Sequence, residues 1–329
     1  MKVHILDDWF DTLRGLPCFD LLVDHDVTVW TDHEPDPAAL AARLVDAECV
    51  VLFRERTHVT RDLLKRLPNL RLISQRGVWP HVDVDACTDA GVLLCSNKGA
   101  DGANYAAAEL TFALILAAMR QLPQQMDSAK AGGWQMGVGR TLRGRTLGLY
   151  GYGRIGRVVA GYARAFGMEV VWWASEAGRA RALADGETVA ASRSEFFAES
   201  DVLSLHLRLT PETRGIVSAE DLSKMSPRSV LVNTSRAGLI APGALLAGLN
   251  EGRPEMAAID VFDSEPLRDP ADPLLAHPRL IATPHIGFVT ENEFDKQFAD
   301  IFAQVNAYAT GTPIHMVNPS VLGPSVYGR

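Results

Sequence analysis

The segment TLGLYGYGRIGRVVAGYARAFG, residues 146–167, places three glycines between an apolar strand and a helix. The spacing G-x-G-x-x-G is weak by itself, but here it follows a predicted strand, opens a predicted helix and lies inside a strand–helix–strand unit, the context that it requires. The first glycine allows a tight turn, the second lets the backbone approach a pyrophosphate, and the third lets the helix pack closely on the strand. The segment therefore predicts a dinucleotide fold with the phosphates at the helix N-terminus. The predicted phosphate loop comprises Gly151, Gly153, Arg154, Ile155 and Gly156.

Short apolar segments alternate with helical segments along the chain, which predicts mostly parallel sheets with helices on their faces. The first series of predicted strands is KVHIL (2–6), VTVW (27–30), CVVLF (49–53), LRLIS (70–74) and VLLCS (92–96). The second series is TLGLYG (146–151), EVVWWA (169–174), DVLSLHL (201–207), SVLVNTS (229–235), MAAIDVF (256–262) and LIATP (280–284). Six such strands with helical crossovers complete one doubly wound unit.

Helices are predicted between these strands from their apolar periodicity. They are residues 37–47, 60–67 with Thr60 as N-cap, 157–167, 243–252 and 292–311. Residues 103–126 predict one long helix that is apolar around much of its circumference. Such a helix must be covered on several sides, as a scaffold element or a subunit contact. Residues 315–329 are predicted to form a loop.

The bulk composition is that of an ordinary globular protein. A length of 329 residues favours two domains. The net charge of −8, with scattered Lys and Arg, argues against a nucleic-acid or anionic-membrane partner. No signal peptide is expected, and the longest apolar run, residues 112–119, is too short for a membrane span.

The cysteines predict neither disulfides nor a metal site. Cys18, Cys49, Cys87 and Cys95 form no C-x-x-C pair and have no His or Cys neighbour at a metal-ligand spacing. We expect buried thiols in a reducing cytoplasm.

The end of the second strand of the dinucleotide unit should recognise the adenosine ribose. Glu176 lies 20 residues beyond Gly156 and is the predicted ribose ligand, which favours NAD because a carboxylate repels a 2′-phosphate. Ser175, Arg179 and Arg181 could instead serve a 2′-phosphate, so NADP stays open.

Three ionisable side chains follow later strands of the same series. Arg236 ends LVNTSR, Glu265 follows AAIDVFDSE, and His285 ends LIATPH. Ligands of open α/β sheets bind at the carboxyl ends of strands, so we expect the three to meet near a nicotinamide. The imidazole moves a proton, the carboxylate holds the ring and favours its protonated form, and the guanidinium clamps an anionic substrate. This pattern indicates an oxidoreductase.

At this point the sequence resembles the D-isomer-specific 2-hydroxyacid dehydrogenases over nearly the whole chain. The motifs are LRGRTLGLYGYGRIG, LSLHLRLTPETRGI, LVNTSRAGLIAPGALLAGLNEGRPEMAAIDVFDSEPL and TPHIG, in the family's order. The resemblance implies that Arg236, Glu265 and His285 are catalytic and that Asp260 binds the nicotinamide amide. It further implies a cofactor border of His206, Leu207, Thr213, Thr234, Ser235, Arg236 and His285.

The resemblance also implies the domain organisation. Residues 1–100 and 287–329 would form a flavodoxin-like substrate domain, and 101–286 an inserted Rossmann NAD(P)-binding domain, with the active site in the cleft between them. The helix at 103–126 matches the segment through which family members dimerise, so a homodimer is expected.

Departures from the family pattern lie near the cofactor and in the substrate loop. Ala237 stands where a glycine is usual, and Arg208 replaces a proline. SQRGVWPHVDV (74–84) replaces the Gly-rich substrate loop.

Three residues of that loop are predicted to bind substrate. Gly77 and Val78 would offer backbone N–H groups to a carboxylate, and Arg236 and His285 would complete the substrate contacts. Arg76 is the basis of a further hypothesis, that it holds a second anionic group.

The expected function is hydride transfer between NAD(P)H and a small 2-keto acid or D-2-hydroxy acid, of the glyoxylate or hydroxypyruvate type. The alternative is an NAD(H)-sensing, corepressor-like interaction protein without turnover. A formate-type dehydrogenase is disfavoured by Glu265. A phosphoglycerate enzyme with a regulatory extension is disfavoured because 44 residues follow His285.

Overall fold

The computed structural model describes residues 1–97 and 105–323, which belong to two compact units. Unit 1 consists of Met1–Asp101 and Thr290–Arg329, and unit 2 of Gly102–Val289. These bounds lie within a few residues of the predicted domain limits. The assignment of one unit to substrate and the other to cofactor stays a prediction at this level.

Unit 1 contains a five-stranded parallel sheet. Its strands are β1 (Lys2–Ile5), β2 (Asp26–Val29), β3 (Cys49–Val51), β4 (Leu72–Arg76) and β5 (Leu93–Asn97). Its helices are α1 (Pro37–Arg43), α2 (Arg61–Leu64), α3 (Val84–Asp89) and the late helix α11 (Glu291–Ala309), with 3₁₀ turns at Leu13–Gly15, Pro17–Leu22 and Pro319–Leu322. The strand order β2-β1-β3-β4-β5 is the flavodoxin-like order of a doubly wound sheet.

The late helix α11 joins unit 1 through buried polar contacts as well as apolar packing. Thr290 caps the helix by accepting the N–H of Glu293. The hydroxyl of Ser74 donates to the Ile301 carbonyl at 2.9 Å, and the side-chain amide of Gln304 donates to the Gln75 carbonyl at 2.9 Å. These bonds satisfy polar groups that burial would otherwise leave unpaired.

Unit 2 contains a six-stranded parallel sheet. Its strands are β6 (Thr146–Tyr150), β7 (Glu169–Trp173), β8 (Val202–Leu205), β9 (Val230–Asn233), β10 (Met256–Ile259) and β11 (Leu280–Ala282). Its helices are α4 (Tyr105–Arg120), α5 (Leu122–Lys130), α6 (Arg154–Ala165), α7 (Glu176–Ala184), α8 (Arg193–Glu199), α9 (Ala219–Ser223) and α10 (Ala244–Glu251), with a 3₁₀ turn at Ala237–Leu239. All predicted strands are present.

The sheet of unit 2 has the order β11-β10-β9-β8-β6-β7. Beyond β7, Val189 pairs with Trp172 in a single parallel bridge, which stands where a Rossmann sheet has its outermost strand. The chain turns from β7 back across β6 to β8, so the strand order reverses at β6. The glycine loop that follows β6 therefore lies at the switch point where such sheets bind ligands.

Helices cover both faces of this sheet. One face packs against α4 and α6 in a cluster that includes Ile115, Val159 and Trp172. The other face packs against α8 and α10 in a cluster that includes Phe196 and Leu249.

The predicted long helix at 103–126 is wrong in its length and continuity. Residues 103–104 lie outside the described residues, and α4 ends at Arg120. Gln121 has a left-handed φ of 53°, after which α5 begins with a proline in its first turn. Pro123 has no N–H to give to the Met119 carbonyl, which instead accepts the N–H of Arg140 at 2.7 Å.

The four cysteines are free and buried, as predicted. Burial raises the pKa of Cys18, Cys87 and Cys95 to about 12. The tail is not all loop, because Pro319–Leu322 forms a 3₁₀ turn. Within residues 1–97 and 105–323 no single helix could span a membrane by its length and composition, although α4 and α5, bent by 63°, pass that test as a pair.

Candidate active site

The glycine loop after β6 has the geometry of a dinucleotide cradle. Gly151 has a φ of 112°, and a Cβ there would lie 2.5 Å from the His206 carbonyl oxygen, so no other residue fits. At Gly156 a Cβ would lie 3.1 Å from both the Gly151 carbonyl and the Trp172 ring, which shows how closely α6 packs on the strand. The structure therefore requires glycine at the first and third positions of the motif, for the reasons that the motif predicts.

Gly153 differs from its two neighbours in the motif. A Cβ at this position would meet nothing within 4 Å, so the space above it is open. Gly153 is also the N-cap of α6 and supplies no side-chain hydrogen bond there. Backbone N–H groups at the start of α6 thus face an open approach, which fits the pyrophosphate of a dinucleotide.

The two side chains between these glycines lie at the start of α6. Arg154 is exposed and is the first residue of the helix, whereas Ile155 packs partly against the core of unit 2. Arg154 thus lies beside the glycine loop. The packing of Ile155 holds the start of α6 against the core of unit 2.

The predicted ribose ligand Glu176 is the first residue of α7 and is exposed. Ser175 precedes it as the N-cap, and its hydroxyl accepts the Gly178 N–H at 3.3 Å. The residue that directly follows β7 is the buried Ala174, so no carboxylate occupies the strand end itself.

The end of β8 lies directly against the glycine loop. The Nε2 atom of His206 is 3.0 Å from the Ser204 hydroxyl, and burial lowers the pKa of His206 to about 4. A Cβ at Gly151 would lie 3.1 Å from the Leu207 side chain. The Thr213 hydroxyl donates to the Arg208 carbonyl at 2.6 Å and so closes the loop after β8. His206 and Leu207 are therefore placed to border a dinucleotide, and Thr213 shapes the loop behind them.

The end of β9 presents Arg236 on a braced turn. The Ser235 hydroxyl donates to the Leu205 carbonyl at 2.8 Å, and the Thr234 hydroxyl pairs with Thr111 of α4 at 2.7 Å. The Arg236 guanidinium donates to the Ser235 carbonyl at 2.8 Å and is half-buried. The backbone that carries Arg236 is thereby tied to both β8 and α4.

Glu265 and His285 form a hydrogen-bonded pair, as the sequence predicts. The Nδ1 atom of His285 lies 2.5 Å from Oε2 of Glu265, and the other carboxylate oxygen accepts the Phe262 N–H at 2.8 Å. Burial would raise the pKa of Glu265, but the bond to His285, the charge of its ring and the charge of Arg236 outweigh it and hold the pKa below its usual value. Glu265 therefore interacts electrostatically with both of the other predicted catalytic side chains. The side chains of His285 and Glu265 keep 30% and 33% of their surface exposed, so a substrate can reach them.

Asp260 has a structural environment that the sequence did not indicate. Its carboxylate is fully buried and accepts the Thr283 hydroxyl at 2.6 Å and the N–H groups of Ile286 and Gly287 at 2.8 Å each. The donors of these three bonds stand on either side of His285 in the chain. The backbone of His285 itself has a left-handed φ of 54°. Asp260 thus holds the turn that presents His285. The predicted contact of Asp260 with a nicotinamide amide stays a prediction.

Two of the three predicted substrate-binding residues of unit 1 are engaged in contacts within that unit. Nε of Arg76 lies 3.0 Å from Oδ2 of Asp300, so its charge is paired, which does not support the hypothesis that it holds a second substrate anion. The N–H of Gly77 donates to the Asn97 carbonyl at 2.9 Å and is not available to a carboxylate. Val78 is 61% exposed and keeps its predicted accessibility.

Sequence reasoning missed Asn233, Thr283 and Phe288. The Asn233 side chain holds the Ser235 N–H and the Arg236 carbonyl, each at 3.0 Å. The Phe288 ring stands edge-on to the His285 ring, with centroids 5.7 Å apart. Polar residues at the ends of buried strands, as in VNTSR and ATPH, are the signal that could have found the first two.

A cavity of about 290 Å³ lies on the α10 side of the sheet, between the turn after Arg236 and the segment 261–274. Ile240, Leu245, Phe262 and Leu274 line it, whereas Arg236, Glu265 and His285 do not. Asn233, Asp263 and Ser264 also line the cavity, so it lies beside the turns that carry Arg236 and Glu265.

Comparison with known proteins agrees with this geometry. Residues 112–287 match the family model described as D-isomer specific 2-hydroxyacid dehydrogenase, NAD binding domain. A glyoxylate reductase from Aeropyrum pernix is 34% identical over 313 residues, which cover 91% of each chain. A D-3-phosphoglycerate dehydrogenase from Methanocaldococcus jannaschii is 37% identical over 268 residues, which cover 80% of this chain but 50% of the relative. The chain thus spans about half the length of that relative.

A solved structure from Ralstonia solanacearum matches with a TM-score of 0.94 and 45% identity, and the match covers 100% of both chains. Its own assignment as a D-3-phosphoglycerate dehydrogenase is provisional. The fold of both units therefore has a full-length counterpart.

Proposed function

The chain belongs to the D-isomer-specific 2-hydroxyacid dehydrogenase family, with an NAD-binding domain over residues 112–287, and we propose that it reduces a small 2-keto acid to the D-2-hydroxy acid. The observation that carries this proposal is the 2.5 Å contact between His285 and Glu265, within the electrostatic reach of Arg236. An acid–base pair next to a fixed cation is what reduction of an anionic ketone requires.

The proton step follows from the hydrogen bonds of His285. Nδ1 faces Glu265, which leaves Nε2 as the ring nitrogen that can serve a substrate. Protonated His285 gives its proton from Nε2 to the carbonyl oxygen during reduction and takes it back during oxidation. When bound, NADH supplies the hydride for the carbonyl carbon. General-acid help of this kind contributes about 10²–10⁴ in rate.

Arg236 binds the carboxylate of the keto acid in this proposal. A guanidinium matches a carboxylate through two parallel hydrogen bonds and so fixes the orientation of the substrate. The bonds of Ser235 and Asn233 to neighbouring backbone keep the Arg236 segment in place before the substrate arrives.

The glyoxylate or hydroxypyruvate type of substrate is supported by a glyoxylate reductase that matches over 91% of both chains. D-3-phosphoglycerate is the second candidate, because two relatives that match along 50% of their own length are named D-3-phosphoglycerate dehydrogenase. Arg76, the residue considered for a second substrate anion, has its Nε atom 3.0 Å from the Asp300 carboxylate, which partly offsets its charge. The alternative of a dinucleotide sensor without turnover is not supported, since the relatives compared are named as dehydrogenases and reductases.

A screen of keto acids tests the proposal. Consumption of NADH and of NADPH is followed with glyoxylate, hydroxypyruvate, phenylpyruvate, pyruvate, 2-ketoglutarate and 3-phosphohydroxypyruvate. Turnover with glyoxylate or hydroxypyruvate at least tenfold above the others supports the substrate type. A preference for 3-phosphohydroxypyruvate replaces it with the second candidate, and no turnover with any of them refutes the activity.

The proposed assembly is a homodimer through α5 and the segment that follows it. The expected contact is the helix predicted at 103–126, but nine of the 16 residues of α4, which forms most of that segment, are buried in the unit 2 core. Exposed apolar side chains instead follow the break at Gln121: Met126 is 56% exposed, Trp134 82% and Val138 92%. A run of exposed apolar side chains of this kind favours a protein contact.

A further inference from the structure

The adenosine ribose of a dinucleotide bound at the glycine loop lies at the end of β7. A carboxylate there binds the ribose hydroxyls and repels a 2′-phosphate, whereas an arginine accommodates that phosphate. The side chains at this strand end therefore decide between NAD(H) and NADP(H).

The strand end is directly joined to the glycine loop. The N–H of Gly151 donates to the Trp173 carbonyl at 2.7 Å, and Ala174 is the next residue. Ala174 is 6% exposed and has no polar side-chain atom. The position nearest to the ribose thus lacks the carboxylate that would exclude a phosphate.

Arg179 reaches back from α7 to this same point. Its Nη1 donates to the Ala174 carbonyl at 2.9 Å, and its Cζ lies 4.3 Å from the centroid of the Trp173 ring. A hydrogen bond and an aromatic face therefore hold the guanidinium in place. Both contacts lie at or next to Trp173, whose carbonyl accepts the N–H of Gly151. A guanidinium has five N–H donors, so the bond to Ala174 leaves donors for an anion. Holding it in place beforehand lowers the entropic cost of binding that anion.

Glu176 and Arg181 are the other charged residues of α7 in this region. Glu176 is exposed and follows the cap residue Ser175. Arg181 is exposed and lies two positions beyond Arg179, about 200° around the helix. Only Arg179 combines a cation with contacts to the strand end among the described residues of this segment.

We propose that Arg179 binds the 2′-phosphate of NADP(H) and that NADPH binds this protein at least as tightly as NADH. The inference rests on the placement of the dinucleotide at the glycine loop. It deepens that proposal by assigning the residue that sets the dinucleotide preference, and it reverses the expectation that Glu176 favours NAD.

Equilibrium titration of the full chain tests this without turnover. Calorimetry gives the Kd of NADH, of NADPH, and of the fragments ADP and 2′,5′-ADP, which differ in the ribose phosphate. The wild type should bind NADPH and 2′,5′-ADP at least as tightly as NADH and ADP. Arg179→Gln should weaken NADPH and 2′,5′-ADP by about tenfold or more, the equivalent of one charge-assisted hydrogen bond, and leave NADH within about twofold.

Arg181→Gln is the matched control, because it removes the same charge from the same helix. It should change the ratio of the two Kd values by less than about threefold, as expected for an exposed charge that solvent and salt screen. Glu176→Gln separates the two readings of the sequence. Affinities for NADH and NADPH that both stay within about threefold of wild type support the inference, because Glu176 then does not set the preference, whereas a tenfold loss of NADH affinity with NADPH unchanged overturns it.

The outcomes for the wild type remain decisive if a variant fails to fold. NADH binding with NADPH at least tenfold weaker overturns the inference alone. Binding of neither dinucleotide overturns the placement at the glycine loop and the inference with it.

Discussion

The backbone N–H of Gly287 donates to Oδ2 of Asp260 at 2.8 Å, on the far side of the turn that carries His285. A Cβ on Gly287 would lie 3.1 Å from the same carboxylate oxygen, so the turn closes tightly over the buried acid. The position of the His285 ring is thus set by the side chain of Asp260, whose hydrogen bonds go to residues on either side of His285. The pair of Glu265 and His285 keeps about a third of its surface exposed, at the end of a turn that buried hydrogen bonds hold in place.

Asp260→Asn should destabilise the protein and misplace His285. An amide offers one acceptor where the carboxylate offers two, so its NH₂ would face the N–H of Gly287 or Ile286. The free energy of unfolding should fall by about 1–3 kcal/mol, the cost of an unsatisfied buried group, and kcat should fall with it. Thr283→Val removes a single bond and should cost about 0.5–1.5 kcal/mol. Denaturant unfolding of both variants measures the difference, and equal stability of Asp260→Asn and wild type would refute the role of Asp260.

His285→Ala should lower kcat for the best keto acid by at least about 10²-fold, because the proton donor is removed. The Kd of NADH should stay within about threefold, since the glycine loop is untouched. Stopped-flow turnover and calorimetric titration of the same preparation give both values. Near wild-type kcat would show that another group delivers the proton.

Glu265→Gln should move the alkaline limb of keto-acid reduction to lower pH. Glu265 lies 2.5 Å from Nδ1 of His285 and keeps its negative charge because its pKa is held below the usual value, whereas a neutral glutamine places no charge beside the ring. A pH–rate profile of wild type and variant with saturating NADH is the measurement. An identical alkaline limb would count against the pairing.

Stability gives an independent check on the same residue. Because the folded pKa of Glu265 is lowered, its contribution is present above the ordinary glutamate pKa and is lost as the pH falls through the lowered value. The stability gap between wild type and Glu265→Gln should therefore be larger at pH 7 than at acid pH. Urea unfolding at several pH values tests the sign.

Gly153→Ala should weaken dinucleotide binding without changing the stability of the fold. The added methyl meets nothing within 4 Å in the protein, so the melting temperature should stay near the wild-type value. The methyl enters the approach of the pyrophosphate, so NADH and NADPH should both bind about tenfold or more weakly.

Gly161→Ala is the control for that variant on the same helix, because its Cβ is also unobstructed but lies away from the loop. It should leave both Kd values unchanged and stabilise the protein by about 0.5–1 kcal/mol. A loss of dinucleotide binding in Gly161→Ala equal to that in Gly153→Ala would remove the assignment of the phosphate site.

Trp134→Ser combined with Val138→Ser should convert the proposed dimer to a monomer, because it removes the two most exposed apolar side chains after α5. Light scattering coupled to gel filtration should give the mass of two chains for wild type and of one chain for the variant. A monomeric wild type refutes the dimer, and a dimeric variant refutes this interface.

Local sequence patterns determined the two sheets, the glycine loop and the positions of Arg236, Glu265 and His285. Each is a short-range signal: strands alternate with helices at a fixed spacing, and ligand-binding residues follow strand ends. The pairing of Glu265 with His285 could be predicted because β10 and β11 are neighbouring strands that end at the same edge.

The tertiary structure alone decided which partners the polar side chains take. Arg76 meets Asp300, Asp260 meets the turn at 283–287, and Arg179 folds back onto Ala174. The first of these pairs is separated by more than half the chain, and none follows from periodicity. Hydrogen bonds and ion pairs depend on distances of about 3 Å, which packing sets and the order of residues does not. The sequence by itself therefore determined the positions of the candidate site residues along the chain. The tertiary structure decided which polar groups pair with one another.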